Sequence, residues 1–107
     1  MPVTNHVLVG TKHRGEAAVR FVQTMQPGHT VLLVREPQNE FDKNAVKAIA
    51  KDFGVIGYLA GSKNRHVSAW MDRQGICEIS ATFGYAGTGK SKVPGVNVDL
   101  PEDSEEA

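Results

Sequence analysis

The chain has 107 residues, in which 12 lysines and arginines balance 12 aspartates and glutamates, and 40% of its residues are hydrophobic. These values are typical of one soluble globular domain, and the length excludes a two-domain enzyme with a cleft between its domains. The single cysteine, Cys77, excludes an internal disulfide framework and a cysteine-based zinc site.

Apolar runs stay far below the ~20 residues that a membrane-spanning helix needs. The first residues lack the basic and apolar regions of a signal peptide, so we expect a cytoplasmic protein without membrane contact. Four of the twelve acidic residues lie in the last six positions, which leaves 12 basic and 8 acidic residues over 1–100. The sequence therefore predicts a folded domain of residues 1–100 and a disordered acidic tail of residues 101–107.

The first half of the chain alternates strand and helix patterns. A short β-branched run at 7–9 predicts a strand. Apolar residues at helical spacing predict a helix over 15–25, which ends before Pro27 and Gly28. Residues 29–35 predict a largely buried strand, and the following loop over 38–44 is rich in Asn and Asp, which close local turns.

The second half predicts four more strands, at 45–51, 55–59, 76–85 and 96–100, and one helix that runs from Ser62, as its N-cap, to Gly75. The element order is thus β-α-β-β-β-α-β-β, which does not give the repeated units of a doubly wound sheet. We expect a mostly β (α+β) domain: a small six-stranded barrel, OB-like or SH3-like, with the two helices at its ends.

One apparent phosphate-binding motif does not fit its context. Residues 84–91 match the P-loop pattern G-x-x-x-x-G-K-[ST], whose mechanism requires a helix to start at the lysine. Pro94 and Gly95 exclude such a helix, so we interpret the segment as a Gly-rich hairpin tip. Lys90 and Lys92 in this tip remain candidates for contact with phosphates, which requires only their charge.

The most informative segment is residues 34–46, which read V-R-E-P-Q-N-E-F-D-K-N-A-V, followed by I-G-Y-L at 56–59. Together with V-G-T-K-H-R-G-E at 9–16, these motifs resemble the HIRAN domain family over residues 5–85. The resemblance implies a modified OB-like barrel of six strands and two helices. It also implies a binding module, with no catalysis of its own, that holds the 3′ end of single-stranded DNA.

The resemblance assigns roles to two neighbouring residues of the loop. Phe41 takes the place of an aromatic residue, usually tyrosine, that stacks on the terminal bases, and stacking requires only a π face. Asp42 would accept a hydrogen bond from a free 3′-hydroxyl, a donor that internal nucleotides lack. The alternative for Asp42 is a cap that accepts hydrogen bonds from backbone amides of its own loop.

Three further residues correspond to family positions near the ligand. Lys12 would hold a phosphate as a point charge, and His13 would form an aromatic shelf. Tyr58 lies where the family has His or Tyr, and it would stack or bind phosphate. For each of the three, an ordinary structural or exposed position is the alternative.

Lys63 and Tyr85 complete the predicted site, with less direct support. Family members carry a lysine shortly after the G-x-L strand, and Lys63 is displaced from that position by two residues. Phe83 and Tyr85 end the long strand near the Gly-rich tip and could extend the stacking surface, although Phe83 also fits the core. Cys77 shares its predicted strand face with Ile79 and Ala81 and is therefore expected to point toward the core.

No metal-ligand spacing connects the histidines, so we predict neither a metal nor another cofactor. Single-stranded DNA ends are the expected partner, and the resemblance adds replication or repair proteins, or a helicase. The alternative is an adaptor domain that contacts proteins and has lost its affinity for DNA. Phe41 in place of tyrosine, the displaced Lys63 and the acidic tail favour that alternative, and the tail could also fold over a basic face as a mimic of nucleic acid.

Overall fold

The structure is a computed structural model that describes residues 3–86 and 93–99, apart from the side chains of residues 3–4, 61–64, 86 and 99. It contains six strands, two α-helices and one short 3₁₀ helix, here called the 3₁₀ turn. The strands are β1 (Val3–Val9), β2 (Thr30–Arg35), β3 (Val46–Ala50), β4 (Gly54–Leu59), β5 (Glu78–Ala86) and β6 (Val93–Asp99). The helices are α1 (Glu16–Thr24) and α2 (Gly61–Gln74), and the 3₁₀ turn is Thr11–Arg14.

The six strands form a closed antiparallel barrel in the order β1-β4-β3-β2-β5-β6. Closure gives each strand two hydrogen-bonded neighbours, which removes the open edges that short strands would otherwise present. The predicted small six-stranded barrel with two helices is thereby confirmed.

The core consists of the inward side chains of the barrel and one face of each helix. Along β2, Val31 and Leu33 are buried while Leu32 between them is partly exposed, as period-2 alternation requires. Helix α1 contributes Val22, and α2 contributes Val67 and Met71. These helices cover the apolar interior that the strands alone would leave open.

Two strands begin three or more residues before their predicted starts. Strand β1 begins at Val3, four residues before the predicted start, because it pairs with β6 from Val3↔Asp99 to Val7↔Gly95. Strand β6 begins at Val93 and includes Pro94, which pairs with Tyr85. The pairing of β1 with β6 joins residues that are far apart in sequence, and therefore no local pattern predicts it.

Two local predictions are wrong. Helix α2 begins at Gly61 and its N-cap position is Ala60, so Ser62 is not the N-cap. Cys77 is exposed, because β5 starts only at Glu78 and the inward alternation of that strand begins with Ile79.

Several predictions fall on residues outside the described ranges. These are the hairpin tip with Lys90 and Lys92, and the acidic tail of residues 101–107. The residues that follow the tip, Val93–Asp99, form a strand, whereas a P-loop would continue as a helix. Within the described part of the chain, neither helix has the length and apolar character that a bilayer crossing would require.

Candidate functional site

The loop between β2 and β3, residues 36–45, is held in shape by its own polar side chains. The Asn39 Oδ1 atom accepts hydrogen bonds from the backbone N–H groups of Phe41, at 2.9 Å, and Asp42, at 3.0 Å. The Asp42 Oδ1 atom accepts one from the N–H of Asn44, at 2.8 Å. These turns leave the Phe41 side chain 94% exposed at the tip. The cap that was one of the two alternatives for Asp42 is therefore present.

Glu36 ties the start of this loop to the barrel. Its carboxylate accepts hydrogen bonds from the Asn39 side-chain amide, at 3.1 Å, and from the Tyr58 hydroxyl, at 2.9 Å. It also forms an ion pair with Lys47, with 3.2 Å between Nζ and Oε2. Burial raises the pKa of Glu36, but the hydrogen bonds from Asn39, Tyr58 and Lys47 outweigh burial and hold the pKa below its ordinary value.

Arg35 ties the end of the loop to helix α2. Its guanidinium donates to both carboxylate oxygens of Asp72, at 3.1 and 3.0 Å. The same group donates to the backbone carbonyls of Lys43, at 2.6 Å, and Ala45, at 3.3 Å. The Arg35 side chain is only 8% exposed and that of Asp72 is 56% exposed, so a largely buried guanidinium clamps the loop to a carboxylate at the surface.

Tyr58 reaches the loop because β4 contains an irregularity. Ala48 pairs with Gly57 and Ile49 pairs with Val55, so Ile56 is an extra residue in β4. Such a bulge changes which face a side chain takes, and here Ile56 and Leu59 are buried while Tyr58 is half-buried and turned to the loop. Burial raises the pKa of the Tyr58 hydroxyl most, and the Glu36 carboxylate raises it further. The positive charge of Arg14 acts in the opposite direction and lowers it.

Gly57 allows the end of β1 to lie against this part of β4. A Cβ atom at Gly57 would stand 2.7 Å from the carbonyl oxygen of Val9 and 3.2 Å from Thr11 Oγ1. Its φ of +155° is also one that side-chain-bearing residues rarely adopt. The glycine of the I-G-Y-L motif therefore brings the 3₁₀ turn next to the β2–β3 loop.

A groove of about 700 Å³ lies between the 3₁₀ turn and the loop, and we call it the Phe41 groove. The 3₁₀ turn contributes His13 and Arg14 to its walls, and the β2–β3 loop contributes Phe41 and Asp42. Arg14 is the one of these four that the sequence did not predict. Tyr58 lies between the turn and the loop. The complete lining is Val9, Gly10, His13, Arg14, Asn39, Phe41, Asp42, Ala45, Tyr58 and Leu59.

A second groove, of about 640 Å³, lies on the opposite side of the 3₁₀ turn, between that turn, α1 and the ends of β5 and β6. We call it the valine groove, because five of its lining residues are valines. Lys12 and Tyr85 lie here, and His13 borders both grooves. Tyr85 packs edge-to-face on the buried Phe83, with ring centroids 5.2 Å apart, so Phe83 belongs to the core.

The structure thus divides the predicted site residues into groups. His13, Phe41, Asp42 and Tyr58 meet at the Phe41 groove, and Lys12 and Tyr85 meet with His13 at the valine groove. Lys63 follows the groove residue Leu59 in the first turn of α2, although its side chain lies outside the description. Lys90 and Lys92 lie in the part of the chain that is not described.

Three contributors were missed by sequence reasoning. Arg14 lines the Phe41 groove, and the run Lys12-His13-Arg14 at the end of the 3₁₀ turn was the signal that could have found it. Arg35 and Glu36 support the loop, and both belong to the V-R-E-P motif, whose spacing does not indicate what either side chain contacts. Among the described residues, no three His, Cys, Asp or Glu side chains converge as metal ligands.

Comparison with known proteins agrees with this architecture. A family model of the HIRAN domain matches residues 3–92. A crystal structure of a protein from Lactobacillus plantarum is similar, with a TM-score of 0.68 and 23% identity, over 90% of this chain and 93% of that one. The crystal structure of the HIRAN domain of human HLTF has a TM-score of 0.61 and 19% identity, over 89% of this chain and 72% of that one. No curated protein matches the chain.

Proposed function

The chain belongs to the HIRAN domain family, and we propose that it captures single-stranded DNA at its 3′-hydroxyl end without catalysing a reaction. The family is known as a DNA-binding module, which supports nucleic-acid binding by this member. The strand type, the preference for an end and the absence of catalysis are the proposed part. The strand type and the preference for an end are argued from the Phe41 groove, and recovery of the intact oligonucleotide tests the absence of catalysis.

The observation that carries the proposal is the 94% exposure of Phe41 on a loop fixed by hydrogen bonds. Exposure of a large aromatic ring to water is unfavourable, and a base that covers the ring removes this cost. The hydrogen bonds fix the loop backbone at Phe41 before binding, so less conformational entropy is lost when a base stacks on its ring. Such stacking contributes about 1–3 kcal/mol per base and tolerates any base.

The charges of the groove suit a strand end. His13 and Arg14 lie on the wall that faces Phe41, where Arg14 presents a planar fork that matches phosphate oxygens. Asp42 would repel a phosphate placed beside it. Its carboxylate is fixed by the N–H of Asn44 and can accept a hydrogen bond from a 3′-hydroxyl, which only the last nucleotide offers.

Titration of a labelled single-stranded oligonucleotide against salt tests binding. We expect log Kd to change linearly with log salt, with a slope of about 0.7 for each phosphate contact. The oligonucleotide should be recovered intact after incubation with the domain. Absence of binding at low salt would contradict the proposal, and protein partners that survive nuclease treatment in a pull-down would then favour the adaptor alternative.

Competition between oligonucleotides that end in a 3′-hydroxyl or a 3′-phosphate tests the role of Asp42. A 3′-phosphate removes the donor and places negative charge against the carboxylate, so wild type should prefer the hydroxyl end by about tenfold or more. Asp42→Asn should reduce this preference, because an amide is neutral and can donate. The matched control is Asp52→Asn, in the exposed turn at the other end of β3.

The control should keep the full preference, and circular dichroism should show that both variants are folded. Equal affinity of wild type for the two ends would leave Asp42 as a loop cap only.

A further inference from the structure

The valine groove has the features of a binding surface that the loop motif does not account for. Among the described residues, the large apolar side chains with high exposure are Val9, Phe41, Phe53 and Val93. Three of them lie at the two grooves: Val9 at both, Phe41 at the first and Val93 at the second. Exposed apolar groups gathered in this way indicate a surface that a ligand covers.

The two grooves meet at the 3₁₀ turn, where they share lining residues. Val9, Gly10 and His13 line both of them, so a chain-like ligand that leaves the Phe41 groove over His13 enters the valine groove directly. Both volumes fall in the range of roughly 300–1,000 Å³ that is typical of ligand sites. The arrangement suits an elongated ligand better than a compact one.

The charges of the valine groove select the chemistry of its occupant. None of its lining residues is acidic, whereas Lys12 and His13 stand at its border with the 3₁₀ turn. Gln23 on α1 adds an amide that can donate and accept hydrogen bonds. Its apolar floor includes Val7, Val19 and Val22. An apolar surface bordered by a lysine and an imidazole that can donate a hydrogen bond fits a molecule with flat apolar faces and regularly spaced negative charges.

We propose that the valine groove holds the nucleotides on the 5′ side of the strand end, with their bases on its apolar floor and their phosphates at Lys12 and His13. This inference rests on the proposed function, because it takes the 3′ end to lie in the Phe41 groove. It extends that function from binding of the strand end to binding of several nucleotides that precede the end. It also gives Lys12 and Tyr85 a place that the loop motif does not provide.

The test compares 3′-hydroxyl oligonucleotides of two and six nucleotides, both labelled at the 5′ end. Wild type should bind the six-nucleotide strand at least about tenfold more tightly than the two-nucleotide strand, because the additional bases contact the apolar floor of the valine groove. A third oligonucleotide has six nucleotides but is abasic at all except the last two. It keeps the phosphates, so it separates base contacts from charge, and it should lose most of the gain.

Gln23→Glu tests the location. The substitution keeps the shape of an exposed side chain and places a negative charge in the valine groove, which should weaken binding of the six-nucleotide strand by about fivefold. Binding of the two-nucleotide strand should remain as in wild type. Gln74→Glu, at the exposed end of α2, changes the net charge equally and should leave both affinities unchanged.

The possible results separate this inference from the function on which it rests. If the two-nucleotide strand binds and longer strands gain nothing, or if Gln23→Glu and Gln74→Glu behave alike, the valine groove proposal is overturned and the capture of ends stands. If the abasic strand binds as tightly as the full strand, the bases do not use this groove and the proposal is likewise overturned. If no oligonucleotide binds wild type, the proposed function itself is overturned.

Discussion

Glu36 supports the shape of the β2–β3 loop through three side chains. One carboxylate oxygen accepts hydrogen bonds from Asn39 and Tyr58, and the other pairs with Lys47. Asn39 in turn accepts the backbone hydrogen bonds that present Phe41. The charged form of Glu36 is thus stabilised by folding, because its partners outweigh its burial and lower its pKa.

Glu36→Gln should therefore lower the free energy of unfolding in a pH-dependent way. A group whose pKa is lowered by folding stabilises the protein above its ordinary pKa, near 4.5, and loses this contribution as pH falls through the lowered value. We expect a loss of about 1.5 kcal/mol at pH 7, which shrinks toward pH 3. Urea unfolding at both pH values measures it.

Glu40→Gln is the matched control, since Glu40 is an exposed residue of the same loop. It should change the unfolding free energy by less than about 0.5 kcal/mol at either pH. An equal loss for Glu36→Gln at pH 7 and pH 3 would contradict the assigned network.

At the scale of residues, the sequence could predict hydrogen bonds between residues that are close together in the chain. The Asn and Asp residues of the loop predict turns, and the structure contains them at Asn39 and Asp42. The bond from Tyr58 to Glu36 joins residues 22 positions apart, and only the folded barrel brings them together. No spacing rule could have found it.

At the scale of elements, the loop is fastened to two different parts of the fold by consecutive residues. Glu36 connects it to β3 and β4, and Arg35 connects it to α2 through Asp72. The exposure of the two partners differs, since the Arg35 side chain is 8% exposed and that of Asp72 is 56% exposed. Arg35 also holds two backbone carbonyls, so it should contribute more than its partner.

A double-mutant cycle should reveal this asymmetry. Arg35→Lys cannot reproduce the planar fork and should cost about 1–2 kcal/mol of unfolding free energy, whereas Asp72→Asn should cost less than about 1 kcal/mol. The double variant should lose less than the two single losses combined, by about 0.5 kcal/mol. Strict additivity in urea unfolding would mean that the two side chains do not interact in solution.

The bulge in β4 is a feature of the elements that the sequence did not predict. Alternation within residues 54–59 suggests that Ile56 and Tyr58 share a face, but the extra residue turns Tyr58 away from the interior that Ile56 occupies. The same irregularity accompanies Gly57, whose missing side chain lets the 3₁₀ turn approach. Register shifts depend on the partner strand, so a single strand's pattern does not contain them.

At the scale of the whole molecule, barrel closure explains why the fold was predictable and the site only partly so. Six short strands and two helices follow from local patterns, and closure then resolves their open edges. Closure also creates the two grooves, because it sets the 3₁₀ turn between the β2–β3 loop and the ends of β5 and β6. The position of Arg14 and the division of the site into two grooves are therefore visible only in the closed barrel.

The central claim is that the Phe41 groove binds single-stranded DNA, and a comparison of two exposed phenylalanines tests it most directly. Phe41 is 94% exposed at the loop tip, and Phe53 is 40% exposed and stacks on Phe21 at the opposite end of β3. The measurement is the Kd of a 3′-hydroxyl oligonucleotide at low salt for wild type, Phe41→Ala and Phe53→Ala.

Phe41→Ala should weaken binding by about fivefold or more, because the loss of one stacked base costs about 1–3 kcal/mol. Its unfolding free energy should stay within about 0.5 kcal/mol of wild type, since the ring is exposed. Phe53→Ala should lower stability and leave the Kd unchanged. An unchanged Kd for Phe41→Ala, in a domain that binds the oligonucleotide, would contradict the assignment of the groove.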